Sequence, residues 1–210
     1  RVARLRPGAL AEDVADGALA RRLLDANLAD PVLDDVAPLD PPELTVVLPV
    51  QGRSDELDRA LEALRPVRCL VVDDASPVPL DPGAPHAEVL RLDENVGPAG
   101  ARNAGLAKVS TPYVAFVDCD VTVTADTLLR LGRHFADEQV ALVAPRIVGR
   151  ARSERPRWFE RYDEVASSLG LGTTGCSVRP GAAVGWLPSA CLVARTDLLG
   201  DGFDATMRVG

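Results

Sequence analysis

The feature that most constrains the fold is a short apolar run at residues 113–117 that ends in two acids. The run, Tyr-Val-Ala-Phe-Val, follows Pro112 and is typical of a strand buried in a mostly parallel sheet. Asp118 and Asp120 come next, and because side chains alternate along an extended segment, their carboxylates point the same way. Ligands of open α/β sheets bind beyond the carboxyl ends of strands, so the acids predict a metal and phosphate site. The alternative is two solvated acids in a turn, one of them capping a helix.

Alternating strand and helix patterns surround this run. We predict strands at 44–48, 67–72, 87–92, 113–117 and 140–148, and helices at 55–64, 98–108 and 124–135. Pro49 is expected to stop the first strand, and Ser54 and Thr124 are expected to cap helices. The alternation predicts βαβ units and an α/β fold with a doubly wound, mostly parallel sheet.

The regular pattern weakens beyond Gly149. A helix is predicted at 157–169, a glycine-rich mobile loop at 170–185, a strand at 186–194 and a turn or short helix at 197–203. Before the first strand, apolar residues at helical spacing predict a helix that opens at 13–16 and ends near Asn27, followed by a proline-rich linker.

Charge and composition exclude several classes of partner. The net charge of −8 argues against nucleic acid or anionic lipid as the main partner, because both require a basic surface. No apolar run approaches the length of a membrane span. The four cysteines, Cys69, Cys119, Cys176 and Cys191, show no zinc-site spacing and are predicted to be reduced thiols in a cytoplasmic protein.

The turn after the first strand excludes two common nucleotide sites. It reads Pro-Val-Gln-Gly-Arg at 49–53 and lacks both the glycine triplet of dinucleotide-binding folds and the P-loop pattern. A bound diphosphate would therefore be neutralised by a cation on the carboxylate pair. Asp73 and Asp74, at the tip of the second strand, are placed to hydrogen-bond a base or ribose.

Four sequence blocks together resemble one family. They are VLPV at 47–50, VVDDAS at 71–76, NVGPAGARNAG at 95–105 and FVDCD at 116–120, and their order and spacing resemble the inverting glycosyltransferases of family 2, which have the GT-A fold. Three further blocks, SSL at 167–169, VRPG at 178–181 and WLPSACL at 186–192, resemble the branch that glycosylates the peptide-derived redox cofactor mycofactocin.

The resemblance implies roles for particular residues on the donor side. The nucleotide-binding positions are Pro49, Val50, Asp73, Asp74, Asn95, Gly97, Arg102 and Asp118. Asp120, together with Asp118, is implied to bind Mn²⁺ or Mg²⁺. Gly100 and Gly105, in the same block as Arg102, are equally well explained by close packing of a helix on the sheet.

The resemblance also implies an acceptor side, formed by Trp186, Pro188, Ser189 and Ala190. Trp186 has two interpretations, an indole stacked on a sugar or a core side chain. The family's catalytic base lies in a motif expected just after Gly210, so no base is visible and the fold is expected to be C-terminally incomplete. This piece is therefore expected to bind a sugar nucleotide but to transfer poorly or not at all.

These implications define a domain division and a function. Residues 1–43 are predicted to form a helical arm and linker, and 44–210 the GT-A domain, with a nucleotide-binding part at 44–150 and the start of the acceptor part at 151–210. The expected activity is metal-dependent, inverting transfer of a hexose, glucose from UDP-glucose, onto a small peptide-derived acceptor. The alternatives are a sugar-nucleotide-binding module without transfer, or a nucleotidyltransferase, for which only Arg53 is basic in the turn after the first strand.

Overall fold

The computed structural model describes residues 17–52, 54–151 and 155–207. Its strands are β1 (Leu44–Val50), β2 (Arg68–Asp73), β3 (Ala87–Arg91), β4 (Tyr113–Val117), β5 (Leu142–Val143) and β6 (Cys191–Arg195). Its α-helices are α1 (Gly17–Asp25), α2 (Ser54–Ala63), α3 (Gly97–Leu106), α4 (Ala125–Leu131) and α5 (Trp158–Ala166). The start of the predicted first helix, at 13–16, lies outside the described residues.

The strands form one sheet in the order β3-β2-β1-β4-β6-β5. β1 pairs in parallel with β2 and β4, and β2 pairs in parallel with β3. β6 is antiparallel to both of its neighbours, β4 and β5. The predicted mostly parallel α/β sheet is confirmed, with an antiparallel edge.

Helices cover both faces of the central strands because apolar side chains project from both sides of β1. Val46 and Leu48 lie in a core cluster that includes Leu61 of α2 and Leu128 of α4. Val47 lies in a second cluster with residues of β2 and β4 and with Ala101 of α3. The strands are therefore continuous apolar runs, as expected for a sheet buried on both faces.

The prediction that Pro49 stops the first strand is wrong. β1 continues through Pro49, which pairs with Val72, to Val50, which pairs with Asp73. The carbonyl of Val50 accepts a hydrogen bond from the Asp74 amide on the β2 side. Backbone groups of successive strand residues point to opposite neighbours, so the backbone nitrogen of Pro49 faces β4. β4 is paired with β1 only as far as Val47, so the missing N–H of Pro49 removes no ladder hydrogen bond.

Several other boundaries also differ from the predictions. The strand predicted at 140–148 is reduced to the two residues of β5, because Pro145 follows at the sheet edge. The strand predicted at 186–194 begins only at Cys191. The helix from 124 to 135 is α-helical to Leu131 and continues as a 3-10 helix, Gly132–Ala136; as predicted, Thr124 caps it, accepting a hydrogen bond from the Thr127 amide. Residues 170–185 contain no helix or strand.

The chain divides into two compact units. One contains the described residues up to Val32 together with Leu171–Leu187, and the other contains Leu33–Gly170 and the described residues from Pro188. In the first unit, Arg179 forms an ion pair with Asp25, and Asn27, whose φ is +54°, follows the end of α1. The sheet lies in the second unit. The division into 1–43 and 44–210 stays a prediction. None of the described helices has the length and hydropathy to cross a membrane.

Candidate functional site

The predicted donor-site residues meet at one edge of the sheet. β1, β2 and β4 are parallel, so their carboxyl ends, which carry Val50, Asp73 and Asp118, lie at the same edge. β6 is antiparallel to β4 and contributes its amino end there, with Cys191 opposite Val117. This is the edge at which open α/β sheets bind ligands.

Asp73 is a buried centre of hydrogen bonds, with no exposed surface. Its carboxylate accepts hydrogen bonds from the amide of Ser76 at 2.9 Å, the amide of Leu80 at 3.3 Å and the guanidinium of Arg91 at 2.5 Å. Burial, the largest single influence, raises the pKa of Asp73, but the hydrogen bonds from Ser76, Leu80 and Arg91 together outweigh it. The pKa of Asp73 therefore lies below its ordinary value.

Ser76 connects this centre to the turn after β1. Its hydroxyl oxygen accepts a hydrogen bond from the Gly52 amide at 2.9 Å, and its carbonyl accepts one from the Arg91 guanidinium at 3.0 Å. Asp73 and Ser76 therefore fix the turns that follow β1 and β2. Nothing in these contacts tests whether Asp73 also touches a nucleotide, and that role stays a prediction.

Asp74 connects the tip of β2 to the start of α3. Its two carboxylate oxygens accept hydrogen bonds from the amides of Val96, at 2.8 Å, and Gly97, at 3.0 Å. Gly97 has a φ of +78°, a conformation that glycine adopts without a steric cost, and this orients both amides toward the acid. A carboxylate at a helix N-terminus also interacts favourably with the helix dipole. Direct contact of Asp74 with a base or ribose stays a prediction.

Arg102 links α3 to the tip of β4. Only 5% of its surface is exposed, and its Nη2 donates a hydrogen bond to Oδ1 of Asp118. The same guanidinium lies over the ring of Phe203, with its central carbon 5.4 Å from the ring centroid. The structure therefore brings together two predicted site residues, Arg102 and Asp118, and adds an aromatic side chain that the sequence analysis did not assign to the site.

Asn103, the residue after Arg102, was also missed. Its Nδ2 donates to the carbonyl of Phe203 at 2.7 Å, and its Oδ1 accepts from the amide of Phe203 at 2.8 Å. The sequence signal was present, because Asn103 lies within the 95–105 block and Phe203 within the segment that precedes the expected base. A separation of 100 residues gave no indication that the two are in contact.

Asp118 and Asp120 occupy the turn that leaves β4. The Asp118 amide donates to the carbonyl of Ala190 at 2.9 Å, and the Asp118 carbonyl accepts from the Val121 amide at 2.9 Å. Asp118 is half-buried and Asp120 is exposed. The acids therefore lie at the tip of β4, as predicted, beside the chain that enters β6. They stand in a turn and not in an extended segment, so the alternation from which their carboxylates were predicted to point the same way does not apply.

The residues present fit a cation that is shared with a substrate. Over the described ranges, no three His, Cys, Asp or Glu side chains are grouped closely enough to hold a metal ion by themselves. Mg²⁺ and similar ions usually bind one or two carboxylates and complete their coordination with water and substrate phosphates. Asp118 and Asp120 offer hard oxygen ligands of this kind. Metal binding by these two acids is a prediction.

The predicted acceptor residues fall into both compact units. Pro188, Ser189 and Ala190 belong to the unit that contains the sheet, and the carbonyl of Ala190 is bonded to the Asp118 amide. Trp186 belongs to the other unit and is 53% exposed, which is unlike a core side chain. Of the remaining donor-site predictions, Asn95 is exposed and Val50 is buried at the end of β1.

Asp204, which follows Phe203, is poorly suited to act as a base. Its Oδ1 accepts hydrogen bonds from the hydroxyl of Thr206 at 2.6 Å and from the amide of Thr206 at 2.9 Å. The side-chain hydrogen bond, followed by the backbone one, holds the pKa of Asp204 below its ordinary value. A carboxylate with a lowered pKa is a weak proton acceptor, which agrees with the expectation that Asp204 belongs to the turn before the base.

Two solved structures share this architecture. The mannosyltransferase PcManGT from Pyrobaculum calidifontis, solved in complex with GDP-Man and Mn²⁺, matches with a TM-score of 0.57 at 22% identity, over 90% of this chain and 55% of that one. S. aureus TarS 1–349 in complex with UDP matches with a TM-score of 0.56 at 20% identity, over 80% of this chain and 52% of that one. The predicted GT-A fold is confirmed.

Sequence relatives agree with the fold. The pre-mycofactocin glycosyltransferase of Mycobacterium tuberculosis (strain CDC 1551 / Oshkosh) is 43% identical over 208 residues, which are 94% of this chain and 43% of that protein. This chain therefore spans less than half the length of that relative. The predicted resemblance to the mycofactocin branch is confirmed. A family model described as glycosyl transferase family 2 matches residues 45–181, and the chain belongs to that family.

Proposed function

We propose that this chain forms the nucleotide-sugar-binding part of a metal-dependent, inverting glycosyltransferase. The observation that carries the proposal is the convergence of Asp118, bonded to Arg102, with Asp73 and Asp74 at one edge of the sheet. The solved structures with this fold include one in complex with GDP-Man and Mn²⁺ and one in complex with UDP, which supports a nucleotide diphosphate and a divalent cation as ligands here.

In the proposed mechanism, Asp120 and Asp118 hold Mn²⁺ or Mg²⁺. When bound, the cation stabilises the negative charge that develops on the departing diphosphate. The guanidinium of Arg102 orients Asp118 through its Nη2 hydrogen bond. We propose that the loop held by the Asp74 bonds to the amides at 96–97 lies beside the nucleoside, and that Pro49 and Val50, at the end of β1, contact the nucleotide.

The transfer itself requires a bond change at the anomeric carbon. An acceptor hydroxyl oxygen forms the new bond to that carbon, the bond from carbon to diphosphate oxygen breaks, and the configuration inverts. The hydroxyl proton passes to a general base on the opposite side from the leaving group. As the family resemblance implies, we place the base in the segment expected after Gly210 and not at Asp204.

We further propose UDP-glucose as the donor and a small peptide-derived precursor of a mycofactocin-type redox cofactor as the acceptor. The 43% identity to a pre-mycofactocin glycosyltransferase supports this acceptor class. Pro188, Ser189 and Ala190 are proposed to contact the acceptor because they enter β6 beside Asp118. A cytoplasmic location stays a prediction.

The experiment is calorimetric titration of UDP-glucose with and without Mn²⁺. We expect binding that depends on Mn²⁺ and is weakened at least about tenfold, or 1.4 kcal/mol, by Asp120→Ala. The matched control is Asp126→Ala. It removes an exposed acid of α4 whose carboxylate forms an ion pair with Arg130 at 2.9 Å. Equal binding by the parent chain and the Asp120 variant would contradict the metal assignment.

A binding module without transfer activity is the second candidate. The two hydrogen bonds from Thr206 to Oδ1 of Asp204 favour it, because they hold this carboxylate against its own turn. Assaying glucose transfer in the same samples separates the candidates: Mn²⁺-dependent binding without turnover supports the module. Turnover equal to that of a chain extended past Gly210 refutes it.

A further inference from the structure

Phe203 is held in place by contacts with α3 and β4, two elements that carry predicted donor-site residues. Its backbone is bonded at both the amide and the carbonyl to Asn103 of α3. Its ring meets the ring of Phe116 in β4 edge to face, with 4.9 Å between centroids. Phe116 is two residues before Asp118. The ring of Phe203 is thus fixed relative to both α3 and β4.

The residue before Phe203 is adapted to this contact. Gly202 has a φ of +79°, and a Cβ at this position would lie 2.4 Å from Oδ1 of Asn103. A Cβ at this position would require the Asn103 side chain or the turn to shift, which would disturb the two hydrogen bonds between Asn103 and Phe203. The turn is therefore built to bring the backbone of Phe203 against Asn103.

The orientation of the Arg102 guanidinium depends on the ring of Phe203. Its Nη2 donates to Asp118, but its Nε is buried and has no hydrogen-bond partner among the residues that the structure describes. A single hydrogen bond fixes one amino group of the guanidinium and constrains the tilt of its plane only weakly. The face of Phe203, 5.4 Å from the guanidinium carbon, supplies the second constraint, because a cation is attracted to an aromatic face.

We propose that Phe203 is a positioning residue that orients Arg102 and, through it, the carboxylate of Asp118 for binding of the nucleotide diphosphate and its cation. Asn103 and Gly202 hold Phe203 in the position that this requires. The inference rests on the proposed function, because it assumes that Asp118 takes part in that binding. The turn at 202–204 would then contribute to binding of the donor nucleotide, a role separate from that of the catalytic base expected beyond it.

The test is calorimetric titration of UDP in the presence of Mn²⁺ into Phe203→Leu, Phe203→Met and Phe203→Tyr. Leu and Met fill much of the same volume but lack a π face, whereas Tyr keeps it. We expect affinity to fall about fivefold for Leu and Met, the size of one cation–π contact, and to stay within about twofold of the parent for Tyr. Rescue by Tyr distinguishes positioning from filling of space.

Phe135→Leu is the matched control. Phe135 lies under the guanidinium of Arg195 at 5.2 Å and stacks on Tyr113, at the other end of β4 from Asp118. This variant should lose thermal stability and keep the parent's affinity for UDP. A loss of affinity in Phe135→Leu equal to that in Phe203→Leu would show a general packing effect and overturn the proposal.

A spectroscopic signal tests the step through Arg102. The Arg102 guanidinium lies over the ring and its Nε is buried, so the Nε proton resonance should carry a ring-current shift that Leu and Met abolish and Tyr retains. If the parent binds UDP with Mn²⁺ and the Leu and Met variants bind equally well, the inference fails and the proposed function stands. If the parent binds neither UDP nor GDP with Mn²⁺, the proposed function fails and the inference falls with it.

Discussion

At the scale of single residues, two adjacent aspartates, Asp73 and Asp74, perform different structural tasks. The sequence placed both at a strand tip, which is correct, but could not show which backbone groups each one binds. Asp73 is fully buried and accepts hydrogen bonds from amides of the loop after β2. Asp74 accepts hydrogen bonds from the amides at the start of α3. The bonds of Asp74 join residues 22 and 23 positions apart, and local patterns carry no information about such pairings.

Asp74→Ala should destabilise the fold and weaken UDP binding while leaving the dependence on Mn²⁺. The variant loses two hydrogen bonds to a charged acceptor, with an expected cost of about 2–3 kcal/mol in the free energy of unfolding. Urea denaturation and titration of UDP measure the two effects. Asp74→Asn, which keeps one amide acceptor, should recover part of the stability. Parent-like stability in Asp74→Ala would contradict the assigned bonds.

The four cysteines should differ sharply in reactivity. Burial raises the pKa of Cys69 to about 12, and burial together with the negative charge of Asp118 raises the pKa of Cys191 to about 12. Cys119 is buried and Cys176 is exposed. At slightly alkaline pH, a thiol reagent should label one cysteine per native chain and four after unfolding.

Cys176→Ser is the control for that labelling experiment, and it should reduce the native signal to near zero. Rapid labelling of a second cysteine in the native chain would contradict the burial of Cys69, Cys119 and Cys191. All four cysteines are free in the structure, and their reduced state stays a prediction.

At the scale of elements, α3 shows most clearly which structural features could be predicted from the sequence and which could not. Its start near Pro98 and the site role expected of its glycine-rich block were predicted from the sequence. The reason for Gly105 was left open between binding and packing, and the structure answers in favour of packing. A Cβ at Gly105 would lie 2.5 Å from Cγ1 of Val47 and 3.0 Å from Cγ2 of Val72. The helix therefore lies directly on β1 and β2.

Gly105→Ala should destabilise the protein despite the higher helix propensity of alanine. The added methyl group must displace two buried valines, and overpacking of this kind costs about 1–3 kcal/mol. Gly175→Ala is the matched control, because a Cβ there meets no atom within 4 Å, and it should change stability by less than about 0.5 kcal/mol. Chemical denaturation measures both; equal stabilities would contradict the close approach of α3 to the sheet.

The edge strands were predicted less well than the central ones. β1, β2 and β4 are continuous apolar runs whose burial on both faces leaves a clear pattern. β5 is reduced to two half-exposed residues, and its extent depends on pairing with β6, which is distant in sequence. Tertiary pairing at an edge, and not local propensity, determines such boundaries.

At the scale of the whole molecule, the buried carboxylate of Asp73 makes stability depend on pH. Its pKa is lower in the folded state than in the unfolded chain, so folding favours the ionised form. The stabilisation is present above the unfolded pKa, about 3.9, and is lost as pH falls through the folded value. Acid should therefore loosen the nucleotide-site edge of the sheet.

Asp73→Asn tests this dependence. The variant should be less stable than the parent at neutral pH, and the difference in the free energy of unfolding should shrink as pH falls below about 4. Asp126→Asn, at an exposed acid of α4, serves as the control and should differ little from the parent at any pH. A constant difference between Asp73→Asn and the parent across that range would contradict the lowered pKa.

The most direct test of the account is a crystal of this chain soaked with UDP and Mn²⁺, with data collected near the manganese absorption edge. We expect an anomalous manganese peak at coordination distance, about 2.2 Å, from a carboxylate oxygen of Asp120. The ion should also contact the diphosphate, and the nucleoside should lie beside Asp74. A manganese peak away from Asp118 and Asp120, or a nucleotide bound at another edge of the sheet, would contradict it.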